Sequence, residues 1–235
     1  MAANSSTSLT DHVLARVPND RLLPLTHVVA AAWFAVAGLA SIAVGHSTRA
    51  SDWLWFNPVA VIVLIFALSV ASLQALPRLA RWHVGSVALA TAVHSIALGV
   101  AAEAVFARYL HVPAAPTFIA ASAQLALLAL IESRQWVGEW STASKVFAAS
   151  IAAGLTAIAP IAFLTRLSHT AALAVLAGVV VTALLAVVDL RRARALANIA
   201  RDRSPRYAVV RTAALLVFDL VYLPALLPRQ LVRRR

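Results

Sequence analysis

Charged residues are scarce in this sequence, and cysteine is absent altogether. Only 12% of the 235 residues are charged, whereas 62% are hydrophobic. Soluble domains carry about a quarter charged residues, so this composition excludes a water-soluble core and indicates a protein embedded in a membrane. The lack of cysteine removes disulfides, thiolate metal sites and thiol redox chemistry.

Glycine is also rare, with 7 residues. Close contacts between membrane helices are therefore expected to rest on alanine and serine instead of Gly-xxx-Gly pairs. Several catalytic motifs are missing as well. The sequence contains no paired Asp-rich motif, Gly-x-Ser-x-Gly elbow, His-Glu-x-x-His site or phosphate loop, which removes the reactions that these motifs support.

Long apolar stretches make up most of the chain and predict an all-α, polytopic transmembrane bundle. Each stretch is close to the length of about 20 residues that a helix needs to cross a bilayer. We predict a polar segment at residues 1–21, a transmembrane domain at 22–228 and a basic tail at 229–235. Seven spans are predicted within that domain, at residues 22–45, 55–76, 82–107, 112–131, 145–165, 170–190 and 207–227.

The distribution of arginine predicts a cytoplasmic N-terminus in the cell membrane, because lysine and arginine favour cytoplasmic loops. Up to residue 206, most basic residues fall in connections on the N-terminal side, and only Arg49, Arg108 and Arg166 fall on the other. The basic tail conflicts with this bias, and a re-entrant seventh stretch would return it to the cytoplasm. The full length of that stretch favours seven spans.

The net charge is +11, and the basic residues responsible for it are expected to contact lipid headgroups and not nucleic acid. No stacking aromatic residues are interleaved with the basic ones, and a basic helical segment beside a membrane binds anionic lipid. The basic segment in question is residues 191–203, and the alternative is that it docks a partner protein. Small residues on the fifth span, such as Ala148 and Ala152, would allow either a homodimer or close packing inside the bundle. The arginines expected to contact headgroups are Arg191, Arg192, Arg194, Arg201 and Arg203.

The last apolar stretch carries a carboxylate near its middle, at Asp219. A charged group at that depth is costly, so we predict that it is functional and faces the interior of the bundle. His94, in the third span, is the other deep ionisable residue. Together with neighbours on the same helices they predict a ligand pocket among spans three, six and seven, formed by His94, Ser95, Leu215, Asp219 and Tyr222.

Polar residues near the ends of the predicted spans are expected to lie at the membrane boundaries. Glu103 is expected to pair with Arg108, and Glu132 is expected to form an ion pair where the fourth span ends. Trp53 and Trp55 are predicted to lie at the membrane interface, where indole rings are favoured.

Two histidines on one helix could bind stacked haems if a second helix supplied matching partners. His83 and His94 share one face of the third span, but only His27 is level with His83 and nothing matches His94. A b-type haem is therefore not expected, and no metal site is predicted.

In its arrangement the chain resembles the heliorhodopsins, over about residues 22–228. That resemblance implies seven helices, an N-terminus inside the cell and a pocket within the bundle. The residues that carry it are Leu25-Thr26-His27, Arg81-Trp82, the small-residue and proline pattern from Ile151 to Pro160, Asn198-Ile199-Ala200-Arg201, and Tyr207 at the start of the last span.

The chain departs from this family at the retinal site. The Schiff-base lysine of the family would fall near Leu215 and its carboxylate counterion near Val84, and both positions are apolar here. The one lysine of the chain is Lys145, at the start of the fifth span. Covalent retinal at the family's site is therefore excluded, and no cofactor is expected. The outer segment of the family is shortened to about residues 46–54.

The expected function is non-covalent binding of an apolar ligand, as a sensor, scaffold or carrier. The alternative is a membrane-embedded lipid or isoprenoid enzyme, or a proton-linked transporter, with Asp219 and His94 as acid and base. Transporters favour helices broken at mid-membrane by glycine or proline. Glycine is rare here and the prolines are scattered, which weighs against transport. A b-type haem subunit is the third possibility.

Overall fold

The computed structural model describes residues 19–133, 144–152, 172–173, 176, 179–180 and 204–232, and the side chains of the last range as far as residue 218. Every regular element in these ranges is helical, which confirms the all-α prediction for this part of the chain. The arginines of the 191–203 segment lie outside the described residues. The helices are α1 (Asn19–His46), α2 (Thr48–Phe56), α3 (Pro58–Arg78), α4 (Val84–Val105), α5 (Ala115–Ser133) and α6 (Pro205–Val232). Residues 144–152 are also helical.

Three described stretches are long and apolar enough to cross a membrane: Arg21–His46, Val84–Leu110 and Ala115–Ser133. A fourth candidate combines Thr48–Phe56 with Pro58–Ser72, which are bent by 92° and form either a broken span or a re-entrant loop. These helices are those of a membrane-embedded protein. The number of crossings remains a prediction, as does their orientation.

The outer surface of the described helices is strongly apolar. Phe66 on α3 is 70% exposed and Leu89 on α4 is 68% exposed, with many other large apolar side chains beside them. Soluble monomers do not expose apolar surface on this scale. The same surface is stable against lipid chains, which agrees with the membrane assignment.

Helix α1 lies at the centre of the described bundle and packs against α4, α5 and α6. Its main contact surface is built around Phe34, which shares a buried cluster with Phe118 of α5 and Leu216 of α6. Several alanines fill the remaining space in that cluster, as the scarcity of glycine predicts. Gly99 of α4 is an exception, because it touches the backbone of Ala37 so closely that an added Cβ would overlap the Ala37 carbonyl oxygen.

Contacts between helix ends show which ends share a side of the bundle. Leu22, near the start of α1, packs against Ala208, near the start of α6. At the same level, the Tyr207 hydroxyl donates a 2.6 Å hydrogen bond to the carbonyl oxygen of Leu79, just after α3. We call this the proximal side, and the side at which α1 ends, near His46, the distal side.

We predict that reporter fusions after Ser47 and after Arg235 both report the outer side of the membrane. Helix α6 starts on the proximal side, as α1 does, and its 28 residues extend about 42 Å, enough to reach the distal side. Paired phosphatase and fluorescent-protein fusions would measure this. An outer signal after Ser47 combined with a cytoplasmic signal after Arg235 would mean that α6 does not cross.

The predicted connection at residues 46–54 contains an additional helix, α2. Ser47 caps it, because the Ser47 hydroxyl oxygen accepts a 3.3 Å hydrogen bond from the Ala50 amide. Trp53 and Trp55 are 57% and 45% exposed on this helix. A short helix with exposed indoles, bent by 92° from the next helix, is compatible with a segment lying in the membrane interface, and that position of the two tryptophans stays a prediction.

The predicted pairing of Glu103 with Arg108 is wrong. Arg108 lies in the π-helical turn Phe106–Leu110, which follows α4. Its guanidinium donates a 2.7 Å hydrogen bond to the Trp55 carbonyl oxygen, and its carbon lies 5.4 Å from the centroid of the Trp55 ring. Arg108 therefore holds α2 against α4.

Glu103 remains inside the bundle, with 7% of its surface exposed. One carboxylate oxygen accepts hydrogen bonds from the Ser41 hydroxyl at 2.5 Å and from the Ala114 amide at 2.8 Å. These two bonds tie α1 to the connection that precedes α5. Within the described structure, Glu103 is thus a buried, hydrogen-bonded link between helices.

Candidate functional site

A cavity of about 790 Å³ lies between α3 and α4 and is closed on one side by Phe218 of α6. Its volume falls within the range of about 300–1,000 Å³ found for small-molecule pockets. Most of its wall is alanine, leucine and valine, from Leu64 to Ala75 on α3 and from Leu89 to Ala97 on α4. The polar side chains of the described wall are Gln74, Arg78, Ser86 and His94, together with the indole of Trp82.

His94 is the buried polar group of this wall, with 4% of its surface exposed. Its Nε2 lies 3.4 Å from the hydroxyl oxygen of Ser72, and its ring centroid lies 4.5 Å from that of Phe218. The Ser72 hydroxyl donates its one hydrogen to the Leu68 carbonyl oxygen at 2.8 Å. Ser72 can then only accept from His94, so Nε2 carries the ring hydrogen in this arrangement.

The connection between α3 and α4 sets the positions of these side chains. The 3₁₀ turn Leu79–Arg81 reverses the chain direction, and the Tyr207 hydroxyl bond to Leu79 joins this turn to the start of α6. Phe218 follows Tyr207 by about three helical turns, and His94 follows His83, at the start of α4, by about the same distance. The two rings therefore reach the same depth and meet.

The residues of the predicted pocket have different environments. His94 lines the cavity, and Leu215 is half-buried in the apolar cluster around Phe218. Ser95 is buried, and its hydroxyl has no hydrogen-bond partner in the described part of the chain. Asp219 and Tyr222 belong to α6, but their side chains lie outside the described residues, as does most of the sixth predicted span.

The cavity includes a wall that sequence reasoning did not assign to the pocket, namely α3. Ser72 approaches His94, and Arg78 and Trp82 lie at the proximal end of the cavity. A weak signal for this wall was present, because the predicted second span carries Ser72 and Gln74 among apolar residues. The sequence offered no means of choosing which span faces His94.

A second buried polar pair joins α1 to α5. His27 is fully buried, and its Nδ1 lies 2.8 Å from a carboxylate oxygen of Glu132. His27 is therefore the partner of Glu132 in this structure, and the contact is the predicted ion pair only when the imidazole is protonated. The Nε2 of His27 has no hydrogen-bond partner among the described residues. His83 is exposed at the start of α4 and does not share this environment.

No group of three or more histidine or acidic side chains that could hold a metal ion occurs among the described residues. Comparisons with family models, curated proteins and solved structures find no match for this chain. The α3–α4 cavity is therefore the main structural guide to function.

Proposed function

We propose that this membrane protein binds an apolar ligand non-covalently in the α3–α4 cavity. The observation that carries the proposal is an apolar cavity of about 790 Å³ with a buried histidine in its wall. Ligand sites typically combine a mostly apolar lining with a few polar groups that orient the ligand. The resemblance to heliorhodopsins supports ligand binding in general, because that family holds a ligand among its helices, but it implies a pocket within the bundle and not specifically the α3–α4 cavity.

The cavity is accessible from the membrane. Leu89 and Val93 contribute to its wall and are 68% and 59% exposed on the outer surface of α4. A ligand dissolved among lipid chains could therefore enter between α3 and α4 without passing through water. This route suits a sensor, scaffold or carrier in the cell membrane, with its N-terminus in the cytoplasm and the 191–203 segment on anionic headgroups.

Binding is favoured over turnover by the chemistry of the wall. Its described residues include His94 as a potential base but no carboxylate. General acid–base chemistry needs a second group within hydrogen-bond reach of the reacting atoms. An enzyme or a proton-linked transporter would depend on Asp219 for that role.

We expect Ala71→Trp to remove apolar molecules that co-purify with the protein. Ala71 lines the cavity and is exposed at its mouth, so an indole there would fill ligand volume without disturbing the core. Ala126→Trp is the matched control, because Ala126 is an exposed alanine of α5 outside the cavity. Native mass spectrometry of both variants would quantify the bound molecules, and equal retention by both would contradict the proposal.

A further inference from the structure

The two ends of the α3–α4 cavity differ in chemistry. Arg78 and Trp82 lie at the proximal end, whereas Leu64 lies at the other. Along α3, Leu64 and Arg78 are separated by about 21 Å, at a rise of 1.5 Å per residue. The cavity is thus long enough to extend through more than half of a hydrocarbon core of about 30 Å. Among the described wall residues, Arg78 is the one arginine or lysine, and its place after the predicted second span puts it at the expected membrane boundary.

We infer that the ligand is a single-chain anionic amphiphile, with its acidic head at Arg78 and its tail directed towards Leu64. This inference rests on the proposed function and specifies its ligand. The space between two neighbouring helices suits one acyl or isoprenyl chain. A guanidinium can donate two parallel hydrogen bonds to a carboxylate or a phosphate.

The surroundings of Arg78 favour an anionic head. Arg78 is exposed in the last turn of α3, and no described carboxylate lies within ion-pair distance of it. The described wall has no acidic side chain to repel an anion. Trp82 lies nearby, and tryptophan side chains are enriched at the level of the lipid headgroups. An acid held by Arg78 would keep its head at this boundary.

The contact between His94, in the cavity wall, and Ser72, buried behind it, is compatible with an apolar tail. In the arrangement in which Ser72 donates to Leu68, Nε2 of His94 donates towards Ser72, and neither of these hydrogens then requires a polar group from the ligand. The ring of His94 also rests against Phe218. The tail can therefore pass this level in contact with ring faces and alanine methyl groups.

Photo-crosslinking of the full-length protein in phosphatidylcholine nanodiscs would test this inference. The probes are hexadecanoic acid and hexadecanol, each with a diazirine at the tail end, at a pH where the acid is ionised. We expect about fivefold more labelling by the acid, on residues near Leu64. Arg78→Gln should lower acid labelling to the level of the alcohol. Arg81→Gln, which changes a neighbouring exposed arginine outside the cavity, should leave it unchanged.

The outcomes separate the ligand class from the existence of the site. Equal labelling by acid and alcohol, unaffected by Arg78→Gln, would overturn the anionic head and leave the proposed function intact. Tail labels concentrated near Arg78 would overturn the orientation and with it the inference. Ala71→Trp should abolish labelling of the cavity by both probes, and parental labelling of that variant would overturn the proposed function itself.

Discussion

Gly99→Ala is expected to destabilise the protein by about 2–3 kcal/mol, although alanine is the better helix former. The added Cβ would overlap the carbonyl oxygen of Ala37 and lie 2.9 Å from its carbonyl carbon and 3.0 Å from the Cβ of Ala40. Two of these three atoms belong to the backbone of α1, so no rotation of a side chain can relieve the overlap. Helix α1 would have to move away from α4.

Gly85→Ala is the matched control, because it lies on the same helix and an added Cβ would meet nothing within 4 Å. Its stability should be unchanged or higher by up to about 1 kcal/mol, from helix propensity alone. Thermal unfolding of both variants in the same detergent would measure the difference. Equal unfolding temperatures for the two would show that α1 and α4 are not in contact at Gly99.

Helix positions could be predicted because membrane helices are long, apolar and bounded by polar residues. The predicted spans at residues 22–45, 82–107 and 112–131 correspond closely to α1, α4 and α5. Helix α2 was missed, because its nine residues are too few to produce a span signal. Ser47 followed by two exposed tryptophans was the available indication of a capped interfacial helix.

The pocket could be predicted only in part. His94 stands out in the sequence because a histidine deep in a membrane needs a partner. Ser72 does not stand out, since a serine in a helix can satisfy its own hydroxyl with the carbonyl oxygen four residues earlier. Which helix faces His94 depends on packing between residues distant in the chain. The pairing of Glu103 with Arg108 was predicted from their spacing along one helix. That spacing could not show that the π turn directs Arg108 to Trp55, or that Glu103 has other partners.

The His27–Glu132 pair should make a large contribution to the attachment of α1 to α5. Both side chains are buried, at 0% and 8% exposure, and the 2.8 Å contact is between helices far apart in sequence. Glu132→Leu would leave both ring nitrogens of His27 buried without a described partner, since Nε2 already lacks one. We expect a loss of about 2–3 kcal/mol in stability from this single change.

A double-mutant cycle separates the pair from the general effect of substitution. His27→Leu should cost a similar amount, because it leaves the Glu132 carboxylate, whose side chain is 8% exposed, without its donor. The double variant with leucine at both positions should recover much of the loss, since neither polar group is then left unpaired. Glu132→Gln, whose amide oxygen can still accept from Nδ1, should cost less than Glu132→Leu. Unfolding temperatures of the four proteins, measured in one detergent, give the coupling between the two side chains. If the loss of stability in the double variant equals the sum of the two single losses, the two side chains stabilise α1 and α5 independently.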